Sequence, residues 1–159
     1  MTQPEAWLRG IRDPANPVCD HLLRASEQIR EDARRAAAMS TTRGATGFHL
    51  KHLSGSTDRL CTYAEGKQLS AAQLSALERE RENGESADEL VARIDAAFDR
   101  FDAIVRSTRA EDFASVRYVG RKQLPVALIG LLIHIVEHGQ RHAGQAITTA
   151  KASGAAVQS

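Results

Sequence analysis

Four stretches of this chain repeat apolar residues every three or four positions, and almost none alternates them, which commits the chain to helices that bury one face against each other. The first runs from Pro17 to about Met39, with Val18, Leu22, Leu23, Ala25, Ile29, Ala33, Ala36 and Ala37 on one side. Glu27, Arg30, Glu31, Arg34 and Arg35 take its wet face. Asn16 suits the cap and Pro17 the first helical position. After a break at Gly44, the second helix spans about Thr46 to Tyr63 and stops at Gly66, a C-terminal glycine cap.

A polar segment follows, with Ser70 as the cap of a short helix and Asn83-Gly84 as its terminator. Ser86 and Glu89 match a capping box that opens the third long helix, through Leu90, Val91, Ile94, Ala97, Phe98, Phe101, Ile104 and Val105. The stretch "STRAEDFASVRYVGRKQLP" has no helical period and reads as a loop or a strand-like excursion, long enough to cross the domain. The fourth helix is expected from about Leu124 to Lys151, and the tail "ASGAAVQS" is expected to fray. Together these elements predict an all-α four-helix bundle, one domain over residues 1–159.

A chain of 159 residues buries roughly 70% of its unfolded surface and needs no covalent staples. Cys19 and Cys61 are therefore expected as reduced thiols, in a cytoplasmic setting. The formal net charge is +1 with both signs interspersed, which argues against a nucleic-acid partner. "LPVALIGLLIHIV" is too short and too interrupted to span a bilayer, and "MTQPEAWLRG" is no targeting segment, so a membrane is not an expected partner.

The fourth helix carries the most specific signal. Its inward stripe runs Leu128, Leu131, Leu132, Ile135, His138, Gly139, His142, Ala146, so histidines replace apolar residues without leaving the face. Imidazoles at i and i+4 project from one side of a helix and can converge on one ion. A lone histidine on such a face is more often a hydrogen-bonded core residue. Two at ligand spacing, with His49 and His52 near the inward face of the second helix, favour metal. Spacing alone does not choose between His49 and His52. Three histidines leave coordination positions open, as catalytic zinc sites do.

A competing frame reads His134, Glu137 and His138 as H-x-x-E-H, the motif of an inverted zincin peptidase. Such sites need a further acidic ligand downstream, and no Asp or Glu follows Glu137. Glu137 is then a solvated or ligand-orienting carboxylate. His21 receives no role.

Two stretches, "GFHLKHLSGSTDRL" (residues 47–60) and "HGQRHAGQ" (residues 138–145), resemble the signatures of the DinB-like, or YfiT-like, family of metal-dependent enzymes. The resemblance implies a four-helix bundle in up-down-down-up order and a divalent metal on three histidines. By position these are His52, His138 and His142, because His52 is followed by Leu53 and, four on, by Ser56. His49 becomes a pocket-wall or substrate-binding residue and His134 is left out. Gly144 is read as a close helix contact, and Gln145 as a polar, substrate-binding group near the pocket. Arg59, Arg121 and Arg141 are candidates for an anionic substrate group.

The first functional expectation is a thiol-dependent S-transferase or hydrolase acting on a small molecule. Its cofactors would be zinc or nickel and a low-molecular-weight thiol, and family habit implies a homodimer. The alternative is a non-catalytic metal- or ligand-binding module of stress response. A third reading leaves the histidines as mere packing.

Overall fold

The computed structural model describes residues 17–39 and 44–157. The Asn16 cap expected from sequence lies outside them. The described residues form α1 (Pro17–Met39), α2 (Ala45–Ala64), the short α3 (Ala71–Glu78), α4 (Ala87–Ser107), a 3-10 turn (Ala110–Asp112), β1 (Val116–Val119), β2 (Leu124–Ala127) and α5 (Leu128–Val157). The chain is thus mostly helical. No described helix is long and apolar enough to cross a membrane.

Local chemistry sets most boundaries. Gly66 takes φ of 77° after α2, and the N–H groups of Gly66 and Lys67 return to the carbonyls of Tyr63 and Thr62 at 2.9 and 3.0 Å. This is a Schellman closure, which needs the left-handed conformation that glycine adopts freely. Ser70 and Ser86 both form reciprocal capping boxes, with Gln73 and Glu89.

Three boundaries depart from the sequence expectation. The fourth long helix begins at Leu128, because Leu124–Ala127 pairs antiparallel with β1, Val119 opposite Leu124 and Val116 opposite Ala127. Pro125, opposite Tyr118, is tolerated there because each strand of a two-stranded ribbon is an edge. The start of α5 is capped by other chain segments: Leu128 and Ile129 donate to the carbonyls of Ser115 and Phe113, both at 2.9 Å. At the far end, α5 stays helical to Val157, since the alanine-rich tail has high helix propensity and holds no proline. The short helix ends at Glu78 and not at Asn83-Gly84. A tight turn, with Glu80 N–H on the Leu77 carbonyl at 3.2 Å, drives the Glu80 side chain inward.

Helices α1 and α2 each pack against both α4 and α5, with little contact between themselves. Leu22, Ile29, Leu50, Leu53, Phe98, Phe101, Leu132 and Ile135 fill the core between them. At Gly139 α5 packs tightly on its neighbours: a Cβ there would sit 2.9 Å from Ile29 Cδ1 and 3.3 Å from Phe98 Cζ. Gly144, the glycine expected to make a close contact, is exposed with open space beside it. Cys19 and Cys61 are free, and burial pushes the Cys61 thiol up to about 12.

Ion pairs tie the long helices together. Arg30, expected on the wet face of α1, is only 14% exposed and reaches Asp99 and Asp102 of α4 at 2.7 and 3.1 Å. Arg34 reaches Asp95 at 2.7 Å. Lys51 of α2 meets Glu85, two residues before α4, at 2.9 Å, and Arg100 of α4 meets Asp58 of α2 at 2.7 Å and Glu65, just after α2, at 2.9 Å.

Arg100 also donates to the Asp58 carbonyl and Thr62 Oγ1, so it ties off the C-terminal half of α2. Its hydrogen bond holds the Glu65 carboxyl down at about 2, against an ordinary 4.5. A depressed carboxylate contributes stability that is present above its unfolded pKa and is lost as pH falls through the folded one. Arg100→Met is therefore expected to destabilise the protein by about 1–2 kcal/mol near neutrality. The deficit should shrink as pH falls from about 4.5 towards 2. Chemical denaturation at two pH values measures it, and a deficit unchanged at about pH 3 would contradict the assignment.

Candidate metal centre

The histidine-bearing half of α5 faces the N-terminal half of α2. After the buried Leu131, Leu132 and Ile135, the same face of α5 presents His138 and His142, and α2 presents His52 opposite them. One ring nitrogen from each of the three lies within 4.8 Å of the others. Ring centroids are 4.4 Å apart for His52 and His142, 4.5 Å for His138 and His142, and 5.2 Å for His52 and His138. All three are half-buried, so the cluster opens to solvent on one side.

His49 flanks the cluster, its Nδ1 3.3 Å from Nδ1 of His142. His134 and Glu137 are exposed, and His134 stands outside the group of three. The peptidase-like frame centred on Glu137 is therefore not the one that converges.

Each of the three clustered imidazoles has its Nδ1 engaged by a neighbour, which leaves Nε2 as the nitrogen it can offer. His52 Nδ1–H donates to Glu80 Oε2 at 2.6 Å. Ser56 Oγ donates to the Leu53 carbonyl, so its lone pairs are placed to accept from His138 Nδ1 at 3.3 Å. His142 Nδ1 meets His49. This is the donor arrangement that fixes tautomer and ring orientation in histidine metal sites, and it is the reason the three residues fit a metal.

Glu80 is the residue the sequence did not disclose. It lies in the polar run "ERERENGES", yet its carboxylate is buried, held by His52 on one side and by Arg59 Nη1 at 3.0 Å on the other. Burial alone would raise its pKa, but the hydrogen bond from His52 and the charge of Arg59 outweigh it and hold it below the ordinary range. Gly55 makes room for the pair: a Cβ there would lie 2.7 Å from Glu80 Oε1 and 2.9 Å from Arg59 Nη1. A glycine inside a helix costs about 1 kcal/mol, and that anomaly was the available signal of a close approach.

Burial and neighbouring charge favour the neutral form at two of the clustered imidazoles, His138 and His142. Burial, then the neighbouring His52, pushes both His138 and His142 down to about 4. His49 is lowered for the same two reasons. Neutral imidazoles carry the lone pair that a metal needs.

The other residues read from sequence are dispersed. Arg59 is occupied by Glu80, Gln145 is exposed on α5, and Arg121 lies at the hairpin turn. Arg141 is exposed between His138 and His142. Phe48 stacks on His52 at 5.7 Å and 18°, and Arg81 sits over the Phe48 ring at 5.3 Å.

Residues 41–146 match the family model of the DinB superfamily, a span that holds all the histidines of the cluster and Glu80. No curated protein and no solved structure matches the chain.

Proposed function

The chain belongs to the DinB superfamily, and on that premise we propose that it is a metal-dependent enzyme of the thiol-dependent S-transferase or hydrolase class. His52, His138 and His142 hold one divalent ion, zinc or nickel, and a small-molecule substrate enters from the open side of the cluster. The observation that carries this reading is the convergence of three half-buried imidazoles whose other nitrogens are all engaged. When bound, the ion supplies Lewis acidity, lowering the pKa of a water or a low-molecular-weight thiol.

The chain's own residues do the rest. Glu80 orients His52 and, with Arg59, brings no net charge to the site. Ser56 and His49 set the tautomers of His138 and His142. Phe48 stacks on the ring of His52. The same proposal includes an up-down-down-up bundle of α1, α2, α4 and α5. It is supported by ion pairs that run in opposite order along α1 and α4 (Arg30 with Asp99 and Asp102, Arg34 with Asp95) and in the same order along α2 and α4 with their flanking residues (Lys51 with Glu85, Arg100 with Asp58 and Glu65).

One observation favours a second reading, a metal-binding module without turnover. Among the described residues, the carboxylate bonded to the cluster, Glu80, is already committed to His52 and Arg59 and is not free to act as a general base. A screen of metal-loaded protein with low-molecular-weight thiols and alkylating electrophiles separates the two. The enzyme reading expects turnover that His142→Ala abolishes. Metal uptake without turnover across the screen would favour the module.

A further inference from the structure

We infer that the mouth of this centre selects ligands that carry an anionic group, a carboxylate or a phosphate, bound by Arg81 and Arg141 while the other end of the molecule reaches the histidine cluster. The inference rests on the metal site proposed above and adds the class of molecule it takes.

Arg81 owes its position to Glu80. The turn after α3 sends the Glu80 carboxylate inward to His52, and the next residue is left on the outside, over Phe48. Arg81, Phe48 and His52 thus form a column with spacings of 5.3 and 5.7 Å, from the rim down to the cluster. A guanidinium stacked on an aromatic face keeps its N–H edge free for a two-pronged bond to an oxyanion.

Arg141 borders the cluster from the α5 side, three residues after His138 and one before His142. Among the described residues, neither Arg81 nor Arg141 is joined to a carboxylate, and Glu137, one turn before Arg141, makes no ion pair with it. The other basic side chains around α2 are engaged: Arg59 with Glu80, Lys51 with Glu85.

Charge accounting points the same way. Histidine binds a metal as the neutral imidazole, so three such ligands would leave a divalent ion its full charge, and Glu80 is neutralised by Arg59. The two rim arginines add to that positive field, which a neutral ligand would leave uncompensated.

The test uses cobalt(II)-loaded full-length protein, with thiolate-to-cobalt absorbance as the binding readout. Three probes are titrated: 2-mercaptoethanol, 3-mercaptopropionate and 2-mercaptoethyl phosphate. The anionic thiols should bind about tenfold more tightly than the neutral one at low salt, and the margin should narrow as salt rises. Whichever anion binds better identifies carboxylate or phosphate as the group selected. Arg81→Gln and Arg141→Gln should each remove roughly threefold or more of the preference while leaving the neutral thiol within about twofold. Arg121→Gln at the hairpin turn should change nothing. Equal affinity for the three probes, or a preference that survives the Arg81→Gln/Arg141→Gln double variant, would overturn the anion site and leave the metal centre standing. Failure to take up cobalt would overturn both.

Discussion

His142→Ala is expected to lower affinity for a divalent ion by at least about 100-fold while leaving helix content and melting behaviour near those of the parent. Changing a residue that merely orients a ligand costs about 10–100-fold, and removing a ligand costs more. The fold should tolerate the change because His142 is half-buried at the open side of the cluster, so truncation leaves a solvated gap and not a core cavity. His52→Ala and His138→Ala should behave alike. His134→Ala should stay within about twofold, because His134 is exposed and outside the cluster. Competition titration against a chromophoric chelator measures all four. A large loss in His134→Ala with a small one in His142→Ala would restore the H-x-x-E-H frame.

Glu80 carries the second large effect, through two separable routes. Glu80→Gln keeps an acceptor for His52 but removes the charge that polarises the ring, and should weaken metal binding by roughly 10–100-fold. It also strands Arg59, which is only 11% exposed, and an uncompensated buried charge costs about 3–5 kcal/mol. Adding Arg59→Gln removes the stranded cation. The double variant should recover most of the lost stability in a thermal melt and none of the lost metal affinity. Recovery of both together would mean that Glu80 serves the fold and not His52.

These two predictions also mark what could be read in the chain before its structure. His138 and His142 were legible because a helix repeats every 3.6 residues, so two residues replacing leucines on a buried stripe declare their direction. His52 and His49 were equivalent by that criterion. The resemblance to the DinB-like family favoured His52, and the structure brings His52 into the cluster with His49 behind His142. Glu80 was illegible: it lies in a polar run without periodicity, and its inward turn depends on the early end of α3 and the space left by Gly55. The hairpin before α5 was hidden for a related reason. Leu124–Ala127 continues an apolar run into the helix, and only its pairing with Val116–Val119 makes it a strand. Gly139 and Gly144 show the limit of reading glycines singly. The close approach is set by what α1 and α4 present, Ile29 and Phe98, and these meet Gly139.

The metal content of the protein, purified without a histidine tag and never exposed to chelator, tests the central claim most directly. About one divalent ion per chain, or its uptake on reconstitution with zinc or nickel, is the predicted result. A content near zero that reconstitution does not restore would contradict it, and would leave His52, His138 and His142 as packing residues.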